Sequence, residues 1–148
     1  MQVQASHWAA LLTIAITAAR STLTAATAEA VEAVLPQVAK AIDAITESFA
    51  QGGRLFYLGA GTSGRLAVLD AAECPPTYGV SYDTVIGLIA GGKEAVFRAA
   101  EGAEDSGNSG VRDLQEISLS EKDTVVGISV SGDAAYIYNG LAYAKSVK

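Results

Sequence analysis

Apolar side chains recur at Val31, Val34, Leu35, Val38, Ile42, Ile45 and Phe49. Steps of three and four put them on one stripe of a helix. Pro36 falls inside that stripe and should kink or restart the helix. Gln51-Gly52-Gly53 ends the pattern, with glycine available for a left-handed cap. Upstream, Ala9 to Ala19 is nearly all apolar. Ser6 is placed to cap a first helix running to about Arg20, and Ser21, Thr22, Thr24 and Thr27 form a polar break rich in capping residue types. Residues 1–50 therefore read as an N-terminal helical segment.

Beyond residue 53 the period changes. Arg54 to Leu58, Thr84 to Ala90 and Thr124 to Val130 are short runs, apolar on both faces. Such runs suit strands of a parallel sheet covered on both faces. Helical stretches are expected at about 62–73 and 93–103, and Asp133 to Lys148 reads as a helix after the third strand. Glu101 to Asp123 is acidic and reads as solvated loop and helix surface. Alternating strand and helix predict an α/β fold with βαβ crossovers over residues 51–148.

Composition narrows the chemistry. Half of the 148 residues are hydrophobic and the net charge is −6. Intrinsic disorder is excluded by the hydrophobicity, and the lack of any basic stretch argues against a nucleic-acid partner. Cys74 is the single cysteine and His7 the single histidine. A disulfide framework, a multi-cysteine metal site and a histidine-based triad are therefore not expected, and a reducing compartment is the simplest reading. The Ala9–Ala19 run is shorter than the ~20 residues that span a bilayer. Met1 to Ala10 holds no Lys or Arg, so the basic start of a signal peptide is missing.

Ligands of open parallel sheets bind beyond the carboxyl ends of the strands. All three ends here are small and polar: Gly59-Ala60-Gly61-Thr62-Ser63-Gly64, Ala90-Gly91-Gly92, and Ser129-Val130-Ser131-Gly132. Glycines admit a ligand close to the backbone, helix-start N–H groups attract anions, and the hydroxyls add donors. A phosphate or phosphosugar cradle follows. The first loop also spells G-x-G-x-x-G, which raises a dinucleotide-binding alternative. That fold wants an acid at the end of the second strand, where this chain has Ala90-Gly91-Gly92. Asp83 lies at the other end of that strand. Glu73, before Cys74-Pro75-Pro76-Thr77, and Glu104, closing the second expected helix, are the two carboxylates that could act as acid and base. On residue type and position alone, solvated helix ends account for them more readily.

Three blocks then resemble a known family: Gly53 to Gly79, Gly87 to Ser106 and Asp123 to Gly132. In order and spacing they are similar to the N-acetylmuramic acid 6-phosphate etherases of the sugar isomerase (SIS) domain group, over about residues 30–148. The resemblance implies an SIS-type three-layer αβα fold, with about three strands of the parallel sheet present after N-terminal helices. It implies a cytoplasmic enzyme of peptidoglycan recycling that cleaves a lactyl ether by elimination and hydration, with no metal or organic cofactor. The ligand would be a phosphosugar and the protein a homodimer, with no nucleic-acid or membrane partner. Glu104 would be the base at C2 and Glu73 the acid for the departing lactate. Gly61, Thr62, Ser63, Gly64, Ser129, Ser131 and Gly132 would hold the sugar phosphate. The family's Arg-Thr-Pro after the third-strand Ser-Gly is replaced here by Asp133-Ala134-Ala135. A non-catalytic phosphosugar-binding module is the alternative.

Overall fold

The structure is a computed structural model that describes residues 25–147. The expected first helix, its apolar run and the Ser21, Thr22 and Thr24 part of the polar break lie outside them. The chain divides into two units, residues 1–50 and 51–148. In the first, helix α1 (Ala25–Ala50) includes both Thr27 and Pro36 without interruption. Thr27 is thus no break, and Pro36 costs a backbone hydrogen bond rather than restarting the helix. Of its apolar stripe, Val31, Val38, Ile42, Ile45 and Phe49 are half-buried, while Val34 and Leu35 are exposed.

The second unit is a parallel three-stranded sheet of order β2-β1-β3, with β1 at Leu55–Gly59, β2 at Val85–Ile89 and β3 at Thr124–Ile128. In the central strand Leu55, Phe56 and Leu58 are buried, as the apolar pattern requires. All five residues of β3 are only half-buried, because β3 is an edge of this sheet. Side chains alternate between the two faces. On one face Gly59 and Gly87 let helix α2 (Gly61–Tyr78) approach: a Cβ on either would stand 2.7 Å from the backbone of Gly64 or Val68. On the other face Leu58 packs with Leu114 of α4 (Gly107–Glu116) and with Tyr136 and Ile137 of α5 (Ala135–Ser146). The result is three layers, helix, sheet and helix.

Two expectations about the crossovers are corrected. Cys74-Pro75-Pro76-Thr77 continues α2, which runs past the helix end expected near residue 73. Gly64, Ala67, Ala71 and Cys74 bury one stripe of that helix on the sheet. That packing outweighs the two prolines, and the helix ends at left-handed Gly79, whose N–H donates to the Pro75 carbonyl. The helix expected over 93–103 is a single turn, α3 (Glu94–Phe97). After it Arg98 is extended, Gly102 turns left-handed, and Ala103–Asp105 forms a 3-10 turn. The chain wraps here around Gly91, where a Cβ would sit 2.8 Å from that of Ala100 and 3.1 Å from that of Ala95. The crossover helix proper is α4, inside the stretch read as acidic surface.

The opposite edge of the sheet is pinned by Arg54 and Asp123. The Arg54 guanidinium donates to both Asp123 carboxylate oxygens, at 3.1 and 2.8 Å, and its backbone N–H adds a third bond at 2.9 Å. The same guanidinium stacks over the Phe56 ring, 4.7 Å from its centroid. Burial alone would raise the Asp123 carboxyl, but the hydrogen bonds from Arg54 and Ser120 outweigh it and hold it at about 2.

Candidate functional site

The sheet register sets Gly59 beside Ile128. The loops that follow β1 and β3 therefore leave the sheet as neighbours. Between them lies a hollow of about 280 Å³. Thr62 and Ser63 line it from the first loop, Ser129 and Ser131 from the third, and Ile128, Ala134 and Ile137 supply apolar surface.

Each wall has a physical cause. Helix α2 starts directly at Gly61, which is left-handed, and its Ala60 cap has no side chain to offer. The N–H groups of Gly61, Thr62 and Ser63 are left without helical partners, which makes an anion-attracting end. In the third loop the Gly132 N–H donates to the Ser129 hydroxyl at 2.9 Å, and the Asp133 N–H to the Ser131 hydroxyl at 3.3 Å. Each serine accepts within the loop and keeps its own proton to donate.

The structure separates the residues grouped by sequence. Gly61, Thr62, Ser63, Ser129 and Ser131 line the hollow. Gly64 does not: it is buried beneath the loop, where a Cβ would stand 2.6 Å from Ile89 and 2.9 Å from the Gly59 carbonyl. It seats the helix on the sheet. Gly132 also stays off the lining; it supplies the positive φ, +82°, that the loop needs.

The two carboxylates part company as well. Glu104 lines the hollow. It reaches the carboxyl edge because the second crossover is short and irregular, and because Ala103 beside it packs into the core. Glu73 is exposed, a dozen residues into α2 and so roughly 18 Å along the axis from the loop. It is not among the lining residues. Cys74 next to it is fully buried, and burial pushes its thiol up to about 12, which makes it a poor nucleophile. Among the described residues no three His, Cys, Asp or Glu side chains group as metal ligands, and no helix is long and apolar enough to cross a membrane.

A second hollow, of about 180 Å³, adjoins the first and shares Ala60, Gly61 and Glu104 with it. Alanines 90, 95, 99, 100 and 103 line it, together with Arg65 and Glu101. The sequence reading passed over Arg65. Its signal was available in the spacing, one helical turn beyond Gly61 and so on the same face.

With this arrangement in hand, comparison with known proteins is decisive for the family. Residues 37–145 match the model described as the glucokinase regulatory protein N-terminal SIS domain. The chain belongs to this SIS-domain family. Among curated proteins, this SIS chain is 64% identical to N-acetylmuramic acid 6-phosphate etherase 2 of Vibrio cholerae over 118 residues, 80% of the chain and 38% of that relative. It is 59% identical over 120 residues to the N-acetylmuramic acid 6-phosphate etherase of Clostridium beijerinckii, covering 81% of the chain and 40% of the relative. For the enzyme of that name from Aliivibrio salmonicida the figures are 58% over 118 residues, 80% and 39%. The chain thus spans about two fifths of the length of the curated relatives it matches.

Proposed function

We propose that this SIS domain binds N-acetylmuramic acid 6-phosphate and carries the proton-abstracting half of an etherase site. One observation supports this reading most: Glu104 faces the same hollow as the helix-start N–H groups and the loop hydroxyls. The phosphate would sit against Thr62, Ser63, Ser129 and Ser131. The Glu104 carboxylate would then lie over the sugar.

In the open-chain aldehyde the C2 proton is acidified by the neighbouring carbonyl. Glu104 takes that proton, the C2–C3 double bond forms, and the C3–O bond to lactate breaks. The departing oxygen takes a proton from an acid. Water then adds back at C3 and the proton returns to C2, giving N-acetylglucosamine 6-phosphate and D-lactate. A positioned carboxylate is suited to both proton transfers. No step needs a metal or an organic cofactor.

Glu73 supplies the acid in this reading, from a second copy of the chain. Its distance along α2 keeps it from the hollow of its own subunit. Leu66 and Leu69 lie two turns and one turn before it on the same helix face and are 57% and 58% exposed. That exposed strip favours a homodimer with composite sites. The cytoplasm, where sugar phosphates are made and used, fits the reducing environment that a lone cysteine suggests.

Replacing Glu104 with Gln tests the assignment. Binding of N-acetylglucosamine 6-phosphate should change less than about threefold, while lactate release should fall by at least about a hundredfold. Unchanged turnover would remove Glu104 from the base role. Turnover absent from both proteins, with binding intact, would favour the non-catalytic module.

A further inference from the structure

The second hollow carries chemistry that the first does not need. Six alanines line it, and Arg65 is the cation among its lining residues. The Arg65 side chain is held in place: its Nε–H donates to the Val96 carbonyl at 3.0 Å. None of the ion pairs among the described residues joins Arg65 to Glu101 or Glu104. A guanidinium over a methyl-lined recess matches a small carboxylate that bears a methyl branch. Glu104 borders both hollows, so a group occupying the second would be attached close to the atom that Glu104 serves.

We infer that the Arg65 hollow is the subsite for the lactyl group: Arg65 binds its carboxylate, and Ala95, Ala99 and Ala100 receive its methyl. This rests on the etherase reading above and adds the source of its selectivity. A sugar phosphate without the lactyl group fills the first hollow alone. The lactyl-bearing sugar fills both, and the Arg65 contact fixes the ether bond beside Glu104. The carboxylates of Glu101 and Glu104 oppose a second anion, so the subsite depends on Arg65 and not on general positive charge. Arg65 is thus a specificity-determining residue.

The test is calorimetric titration of the full chain, with Arg65 and with Arg65→Met, using N-acetylmuramic acid 6-phosphate and N-acetylglucosamine 6-phosphate, both proteins carrying Glu104→Gln so that neither ligand is turned over. A lost charge-assisted pair should weaken the lactyl-bearing ligand by about tenfold or more and leave the other within about twofold. Equal weakening of both ligands, or of neither, overturns the inference while leaving the phosphosugar reading intact. Failure of the folded chain with Arg65 to bind either ligand overturns both. Ala99→Leu gives an independent arm that keeps Arg65. Ala99 is exposed, so folding should tolerate the change, and the added side chain should block the lactyl ligand selectively. Equal affinity for both ligands in that variant counts against the subsite.

Discussion

Asp133 is the residue at which this chain parts most clearly from its etherase-like pattern. Its backbone N–H helps shape the third loop through Ser131, so the loop forms without the Arg that the resemblance leads one to expect. Asp133 stands in sequence between Ser131 and Ala134, which line the hollow, and so adds a negative charge near the proposed phosphate position. Asp133→Arg should therefore strengthen binding of N-acetylglucosamine 6-phosphate several-fold at low salt and less at high salt, measured by titration at two ionic strengths. Affinity unchanged at both would mean that position 133 does not feel the phosphate. That these loops leave the carboxyl ends of the strands was legible in the sequence, because the apolar runs before them mark the strands. Their division of labour was not. Gly61 and Gly64 look alike in a G-x-G-x-x-G string, yet one lines the hollow and the other, 2.6 Å in Cβ reach from Ile89, only seats the helix.

At the scale of elements, the three strands were readable because buried parallel strands are apolar on both faces. Helix α4 was not. It opens Gly107-Asn108-Ser109-Gly110, which reads as loop by propensity. The structure gives Gly110 a packing role: a Cβ there would collide with the Tyr136 carbonyl of α5. Tertiary contact decided what local preference could not, and the same holds for the prolines inside α2. The missed wrap around Gly91 mattered most, since it is what carries Glu104 to the carboxyl edge. At the far edge, the Arg54–Asp123 pair makes a prediction about acid stability. The Asp123 carboxyl titrates at about 2 in the fold against 3.8 for a free one. Its stabilisation is complete above about pH 4 and is lost as pH falls through 2, an effect of about 2 kcal/mol. Urea unfolding between pH 2 and pH 6 should show that slope, and Asp123→Asn should flatten it, lowering stability at pH 6 and approaching the wild type near pH 2. An unchanged slope in the variant would place the acid sensitivity elsewhere.

At the scale of the whole molecule, one chain brings Glu104 to the hollow and leaves Glu73 exposed on the distal half of α2. The proposed sharing of the site between two copies makes a prediction. Glu73→Gln and Glu104→Gln chains, each inactive alone, should regain about a quarter of wild-type turnover when mixed and allowed to exchange subunits, because one composite site in a mixed dimer is intact. No recovery on mixing, with dimers observed by sedimentation, would remove Glu73 from the composite site.

If Glu104 faces the C2 carbon of a phosphosugar held at the carboxyl edge of this sheet, proton NMR of the chain with N-acetylmuramic acid 6-phosphate in heavy water will show loss of the C2 proton signal. D-lactate will be released where the composite site assembles, and neither change will occur in the Glu104→Gln variant. Persistence of the C2 signal in a folded sample saturated with the sugar phosphate would overturn that placement of Glu104.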